Sequence, residues 1–241
     1  MAKTSNRRRG PCSLGVDVFS LWVETMLGIM RQTAFLFVFP FLALGVAFSP
    51  ASPLADDAYL GKARRFIADL SRETLDNLAA GNVEKVKRVS RFAILFEKHF
   101  AVKSIAKWVL GRHWRGATDA EKTEYLGLFD DLMVLTYVDR FANYSGWGLK
   151  VVKAIQEREH SATVFSEIAL PNGNGPVRVD WRLASKGDVF KIVDVVVEGA
   201  SMSQTLRSDF NSTIKREGGT VSGLLKALRA KAEGLKKPRA G

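Results

Sequence analysis

Residues 177–202 read VRVDWRLASKGDVFKIVDVVVEGASM, and the reading of this stretch decides the fold. Val177, Val179, Trp181 and Leu183 alternate with Arg178, Asp180 and Arg182. A period of two places the apolar set on one face of a strand and the charged set on the other. Ser185-Lys186-Gly187-Asp188 supplies a tight turn, with Gly187 free to take positive φ. Residues 189–198 return as a second strand, β-branched on both faces as suits the middle of a sheet. Gly199 ends it.

Upstream, residues 149–157 and 161–170 read as two further strands. Asn172-Gly173-Asn174-Gly175 is a strong turn signal before the quoted stretch. Four consecutive strands with short connections form an antiparallel meander. Everything before them is helical in pattern. Residues 56–80 repeat Phe66, Ile67, Leu70, Leu75 and Leu78 at helical spacing, and Gly81-Asn82 stops them. Residues 83–89 and 90–99 read as two short helices and 102–110 as a third. Thr118-Asp119-Ala120-Glu121 is a capping box that opens a long, broadly apolar helix to about Tyr144, broken by 145–148. Two helices, 203–217 and 221–232, close the chain around Gly218-Gly219. Helices, then sheet, then helices define an α+β fold, with helices laid on a curved four-stranded antiparallel sheet.

Composition narrows the function. The 241 residues carry 36 Lys and Arg against 25 Asp and Glu, a net charge of +11. Such a balance suits nucleic acid, an anionic membrane surface or acidic partners. The cations are spread over helices that also carry acids, which argues against nucleic acid. Cys12 is the single cysteine. A body without cysteine forms no internal disulfide, holds no thiol nucleophile and builds no Cys-ligated metal site.

Residues 33–48, TAFLFVFPFLALGVAF, form an apolar run of signal-peptide length rather than a membrane span. Residues 1–55 are therefore expected to be a leader, with Met26 or Met30 as the effective start. The folded domain is expected over 56–234, with a basic tail at 235–241. This organisation implies export.

Chemistry is sparse. His99, His113 and His160 stand at unrelated spacings, without the convergence a metal needs, so no metal or cofactor is expected. No G-x-S-x-G, P-loop or G-x-G-x-x-G occurs. Asp130 and Asp131 point about 100° apart on a helix, which disfavours a proton-sharing dyad. They read as one solvated acid and one paired with an arginine. Asp180 is expected to pair with a base across the strands. No catalytic residue emerges. What remains is an apolar surplus that fits either a solid core or a tapered cavity.

A family pattern runs through the same residues. Residues 105–144 contain V-L-G-R-H-W-R-G-A-T from Val109, then Phe129, Leu132, Thr136-Tyr137 and Tyr144. Val-Asp-Trp-Arg-Leu at 179–183, K-I-V-D-V-V-V-E-G-A-S from Lys191, and Arg207, Phe210, Ile214 and Gly218 follow in order. Together they resemble the MlaC (toluene-tolerance) family of periplasmic lipid carriers over about residues 60–230. Phe190 stands where that family usually has Trp, a change of modest volume.

The resemblance implies a deep apolar pocket for phospholipid, or for a hopanoid-type lipid as in some relatives. It also implies a periplasmic shuttle that maintains outer-membrane lipid asymmetry. Its partners would be an outer-membrane lipoprotein complex and an inner-membrane ABC transporter with an MCE-type component. On this basis the pocket is expected to use Phe129, Leu132, Met133, Tyr137 and Phe141 from the long helix. Val164, Val179, Trp181, Val195 and Val197 would come from the sheet, and Arg112 and Arg115 would meet a headgroup or partner. Two other readings compete: a non-catalytic module docking on membrane complexes, and an isomerase- or hydratase-like enzyme with Asp180 and Tyr137 in contact inside the pocket.

Overall fold

The computed structural model describes residues 53–78, 84–144, 148–169 and 175–236, with only the backbone of 53–56, 78 and 139–144. The expected leader with its signal peptide, the stop at 81–82, the break at 145–147, the turn at 172–174 and the end of the basic tail lie outside the described residues. So does the side chain of Phe141. No helix among the described residues is long and apolar enough to cross a membrane.

The helices are α1 (Pro53–Leu78), α2 (Lys85–His99), α3 (Val102–Leu110), α4 (His113–Gly116) and α5 (Asp119–Tyr144). The strands follow as β1 (Leu149–Arg158), β2 (Ser161–Ile168), β3 (Val177–Lys186), β4 (Val189–Val197) and the two-residue β5 (Ala200–Ser201). Helices α6 (Met202–Arg216) and α7 (Val221–Lys236) end the described fold. The sheet is antiparallel in the order β1-β2-β3-β4-β5, the expected meander with one short strand added.

Three local differences have physical causes. Residues 85–99 form one helix where two were expected: the Ser90 hydroxyl donates to the Val86 carbonyl (3.1 Å) instead of capping a new helix, so the chain runs on through it. Strand β4 is less central than its β-branched composition suggests. Its outer edge is met by β5 and by Phe100, which bridges to Ile192, while the helices supply the cover that a neighbouring strand would give. The third is α4, a single turn that the sequence pattern did not signal.

The capping box forms as read. The Glu121 backbone N–H donates to Thr118 Oγ (3.2 Å), and Glu121 Oε2 accepts from the Thr118 N–H (2.9 Å). At the hairpin between β3 and β4, Gly187 takes φ +59°.

Two apolar interiors result. In the helical one, Tyr125 and Phe129 of α5 meet Phe210 of α6 edge-on, with ring centroids 6.2 and 6.3 Å apart. Leu110, Leu132, Ile214, Leu224 and Leu225 complete it. In the other, Ala63, Ile67 and Leu70 of α1 cover the inner face of the sheet at Ala162, Val164, Val179, Trp181, Leu183 and Ile192. Phe100, between α2 and α3, packs against both.

Candidate functional site

The inner face of the sheet is built in rows set by strand register. Beyond Ser185 and Phe190 at the β3–β4 hairpin end, Ala162, Leu183 and Ile192 form a row that is at most 1% exposed. Next come Ala154, Val164, Trp181 and Val195, then Val151, Ser166, Val179 and Val197. The last row is Leu149, Ile168 and Val177, all only half-buried, as are Val151, Val195 and Val197. An apolar trough thus runs from a sealed end to a partly uncovered one. Register shifts in β1 after Val151 and in the β3–β4 pairing at Arg182/Leu183 let the row pass across the sheet. Such bulges bend and twist the strands that carry them.

Trp181 shows how this interior tolerates a polar atom. Its indole Nε1–H donates to Ser166 Oγ (2.9 Å), and the Ser166 hydroxyl donates to the Val179 carbonyl (2.8 Å). Both partners are buried, so the trough wall carries no unmet donor at that point.

Of the residues expected at a pocket, the structure brings Val164, Val179, Trp181, Val195 and Val197 together on this one face. Phe129, Leu132 and Met133 lie instead in the helical interior, with Tyr137 packed at its margin. The two groups do not form one cluster, and Phe100 is their common neighbour. Arg112, just before α4, and Arg115, within it, are exposed and lie outside both interiors.

Helix α1 closes the trough and is held there by polar ties near its two ends. Tyr59 Oη and Ser185 Oγ lie 3.1 Å apart, and Lys62 Nζ donates to Asp188 (2.6 Å). At the other end Glu73 accepts from Lys98 (2.7 Å) and meets His99 Nε2 (2.8 Å). The Lys98 hydrogen bond, with His99 contributing against a desolvation cost, holds the Glu73 carboxyl below its ordinary value of 4.5. The ring of Phe66 packs on His99 and on Phe190.

Most of the sequence signature proves to be joinery. Lys191 Nζ donates to the carbonyls of Glu97 and Lys98, the unpaired end of α2. Asp194, buried on the outer face, accepts from Arg182 (3.1 Å), the Ser201 hydroxyl (2.6 Å) and the Ser203 N–H (3.0 Å). It thereby ties β3 and β4 to the start of α6, where Ser201 Oγ also accepts from Gln204 N–H. Glu198 sits at φ +49° and accepts from the Arg178 N–H. Arg207 stacks on Trp108 (4.7 Å) and donates to its carbonyl (3.0 Å), at the C-terminal end of α3. A Cβ on Gly111 would lie 2.9 Å from the Arg207 guanidinium, which accounts for the glycine as much as its φ of +59° does.

Two acidic expectations are corrected. Asp180 forms no ion pair among the described residues, and its Oδ1 is buried without a hydrogen-bond partner. The cross-strand pair is made by Asp194 with Arg182, because those two are directly in register. Among the described residues neither Asp130 nor Asp131 pairs with an arginine. Burial, together with the charges of Asp131 and Glu97, pushes the Asp130 carboxyl up. Among the described residues no three His, Cys, Asp or Glu side chains converge as a metal site would need.

Fold and site define an α+β domain in which one long helix closes an apolar trough along an antiparallel sheet. The chain belongs to the MlaC family: the family model described as "MlaC protein" matches residues 68–230, more than half of the chain. It also shares its fold with a phospholipid-binding protein from Ralstonia solanacearum, solved in complex with a phospholipid. That match has a TM-score of 0.61 at 21% identity, covering 74% of this chain and 99% of that one.

Proposed function

We propose that this protein is a periplasmic lipid-binding shuttle whose apolar trough holds acyl chains. The observation that carries the reading is the graded inner face. It is sealed at Leu183 and Ile192 and only half-buried at Leu149, Ile168, Val177 and Val197, the gradient expected of a floor and a mouth. Membership of the MlaC family and the phospholipid held by the Ralstonia protein support it. In this reading the wall is Val164, Val179, Trp181, Val195 and Val197. Phe129, Leu132 and Met133, with Tyr137 at their margin, pack in the neighbouring helical interior and back this wall rather than line it.

The energetics suit a carrier. Two acyl chains of about fifteen methylenes, at about 0.8 kcal/mol each, give about 24 kcal/mol gross against water. That exceeds the practical ceiling near 20 kcal/mol for net affinity, so loss into water is very slow. Exchange with a bilayer starts from an equally apolar place and is close to neutral. Direction then comes from partners, which we take to be an outer-membrane lipoprotein complex and an inner-membrane ABC transporter with an MCE-type component. No catalytic residue, metal or cofactor enters the scheme.

Native mass spectrometry of the purified protein, followed by lipid analysis of what it releases, tests the reading. A stoichiometric diacyl phospholipid or hopanoid-type lipid is expected. A monodisperse, lipid-free protein that also takes up none from vesicles overturns it in favour of a non-catalytic docking module.

A further inference from the structure

Residues 101–118 carry Lys103, Lys107, Arg112 and Arg115, together with Trp108 and Trp114, and contain no acidic residue. On α3, Lys103 and Lys107 stand one turn apart beside Ser104 and Trp108, also one turn apart, and all four are exposed. Trp108 is 44% exposed, large for an indole. Across from it, α6 brings Arg207 onto the Trp108 ring, and with Gln204, Ser208 and Asn211 it lines an open groove of about 420 Å³.

The charge here is unanswered. Lys103, Arg112 and Arg115 make no ion pair or side-chain hydrogen bond among the described residues, and Lys107 lies over the Trp114 ring. Elsewhere among the described residues, unpaired cations such as Arg64, Arg65 and Lys150 stand among matched ones, as in Lys62–Asp188, Lys98–Glu73 and Arg182–Asp194, and share their elements with acids; residues 101–118 hold four cations and no acid. Two acids flanking the face are engaged: Asp119 with Lys122, and Glu121 in the cap of α5.

We propose that the face formed by Lys103, Lys107, Trp108, Arg112, Arg115 and Arg207 docks the protein on an anionic bilayer surface. Unpaired cations spread over a surface suit a field of headgroup phosphates rather than a fixed set of carboxylates. A half-exposed indole among lysine stems is the arrangement that settles at the headgroup level, its ring in the apolar boundary and its N–H in water. The proposal does not rest on the cargo: vesicle binding requires no bound lipid, and lipid analysis requires no vesicle.

Flotation of the full chain with vesicles of phosphatidylcholine, alone or with about a third phosphatidylglycerol, tests it. The expected result is binding to the anionic vesicles that falls as salt is raised. Lys103→Gln with Lys107→Gln should lower partitioning by about thirtyfold, about fivefold for each cation removed. Lys103→Arg with Lys107→Arg should retain it, which separates charge from folding. Equal binding to both vesicle types overturns the proposal. So does anionic binding that neither glutamine substitution lowers, as contact through the apolar run 33–48 would give. Retention on immobilised poly-glutamate without vesicle binding overturns it in favour of an acidic protein partner.

Discussion

Phe210 and Val197 illustrate two ways of being apolar inside this molecule. Phe210 meets Tyr125 and Phe129 nearly at right angles, in an interior to which five helices contribute. Val197 has Val179 beside it in register, and part of its surface is uncovered. The helical interior is closed by rings and branched chains from several directions, so any void there costs packing on every side. The sheet interior is closed chiefly by α1, with Phe100 beside it, and the polar ties of α1 are individually weak and mostly solvent-exposed. A protein that must stay folded while an apolar guest comes and goes gains from this division. One interior supplies stability, and the other supplies adaptable space.

The sharpest way to break the comparison is to open a hole in the helical interior. Phe129→Ala should cost about 3–5 kcal/mol in denaturant unfolding, because a fully buried ring is removed from rigid surroundings. A loss below about 1 kcal/mol would mean that this interior is as yielding as the trough. Asp194→Ala probes the joint between sheet and helices. It leaves the Ser203 N–H and the Ser201 hydroxyl without their acceptor and should cost about 1–3 kcal/mol. Gly111→Ala should cost about 1–2 kcal/mol, since it forces a side chain into positive φ against Arg207.

Val197→Arg should change unfolding stability by less than about 1 kcal/mol, because the site is already half-open and the long side chain can reach water. The same variant should lose its bound lipid in native mass spectrometry. Retained lipid in a folded Val197→Arg protein would move the mouth elsewhere.

The smallest effect is one of pH. The Glu73 carboxyl is held below its unfolded value of 4.5, chiefly by Lys98 and also by His99. Its contribution is therefore present above that value and lost as pH falls through the lower folded value. Thermal unfolding followed from neutral pH downward should show a loss of stability below about pH 4.5 that is shallower in Glu73→Gln. Equal slopes for the two proteins would remove this tie from α1.

Much of this was legible from residue order. The alternation Val177, Val179, Trp181, Leu183 placed four residues on one face, and register confirms them there. Thr118 and Glu121 announced the start of α5. These are short-range matters, settled by φ preferences, side-chain periodicity and hydrogen bonds spanning a few residues. The MlaC pattern was legible too, but the roles of its members were not. Lys191, Asp194 and Arg207 are joints between elements, and Arg207 reaches a backbone carbonyl 99 residues away in sequence. Trp108 escaped notice because a single tryptophan on a short helix carries no periodic signal, and only Arg207 and its exposure distinguish it.

By itself the sequence determined the long elements, their order, the meander and the family, but not the single turn α4 or the two-residue β5. Tertiary structure decided which apolar surface meets which. A helix or strand states locally that it has an apolar face but not what will cover it, since burial gains free energy against any complementary surface. Phe129 and Trp181 therefore looked alike as candidates for one pocket. Packing sent the first into a helical interior and the second under α1, with Phe100 between them.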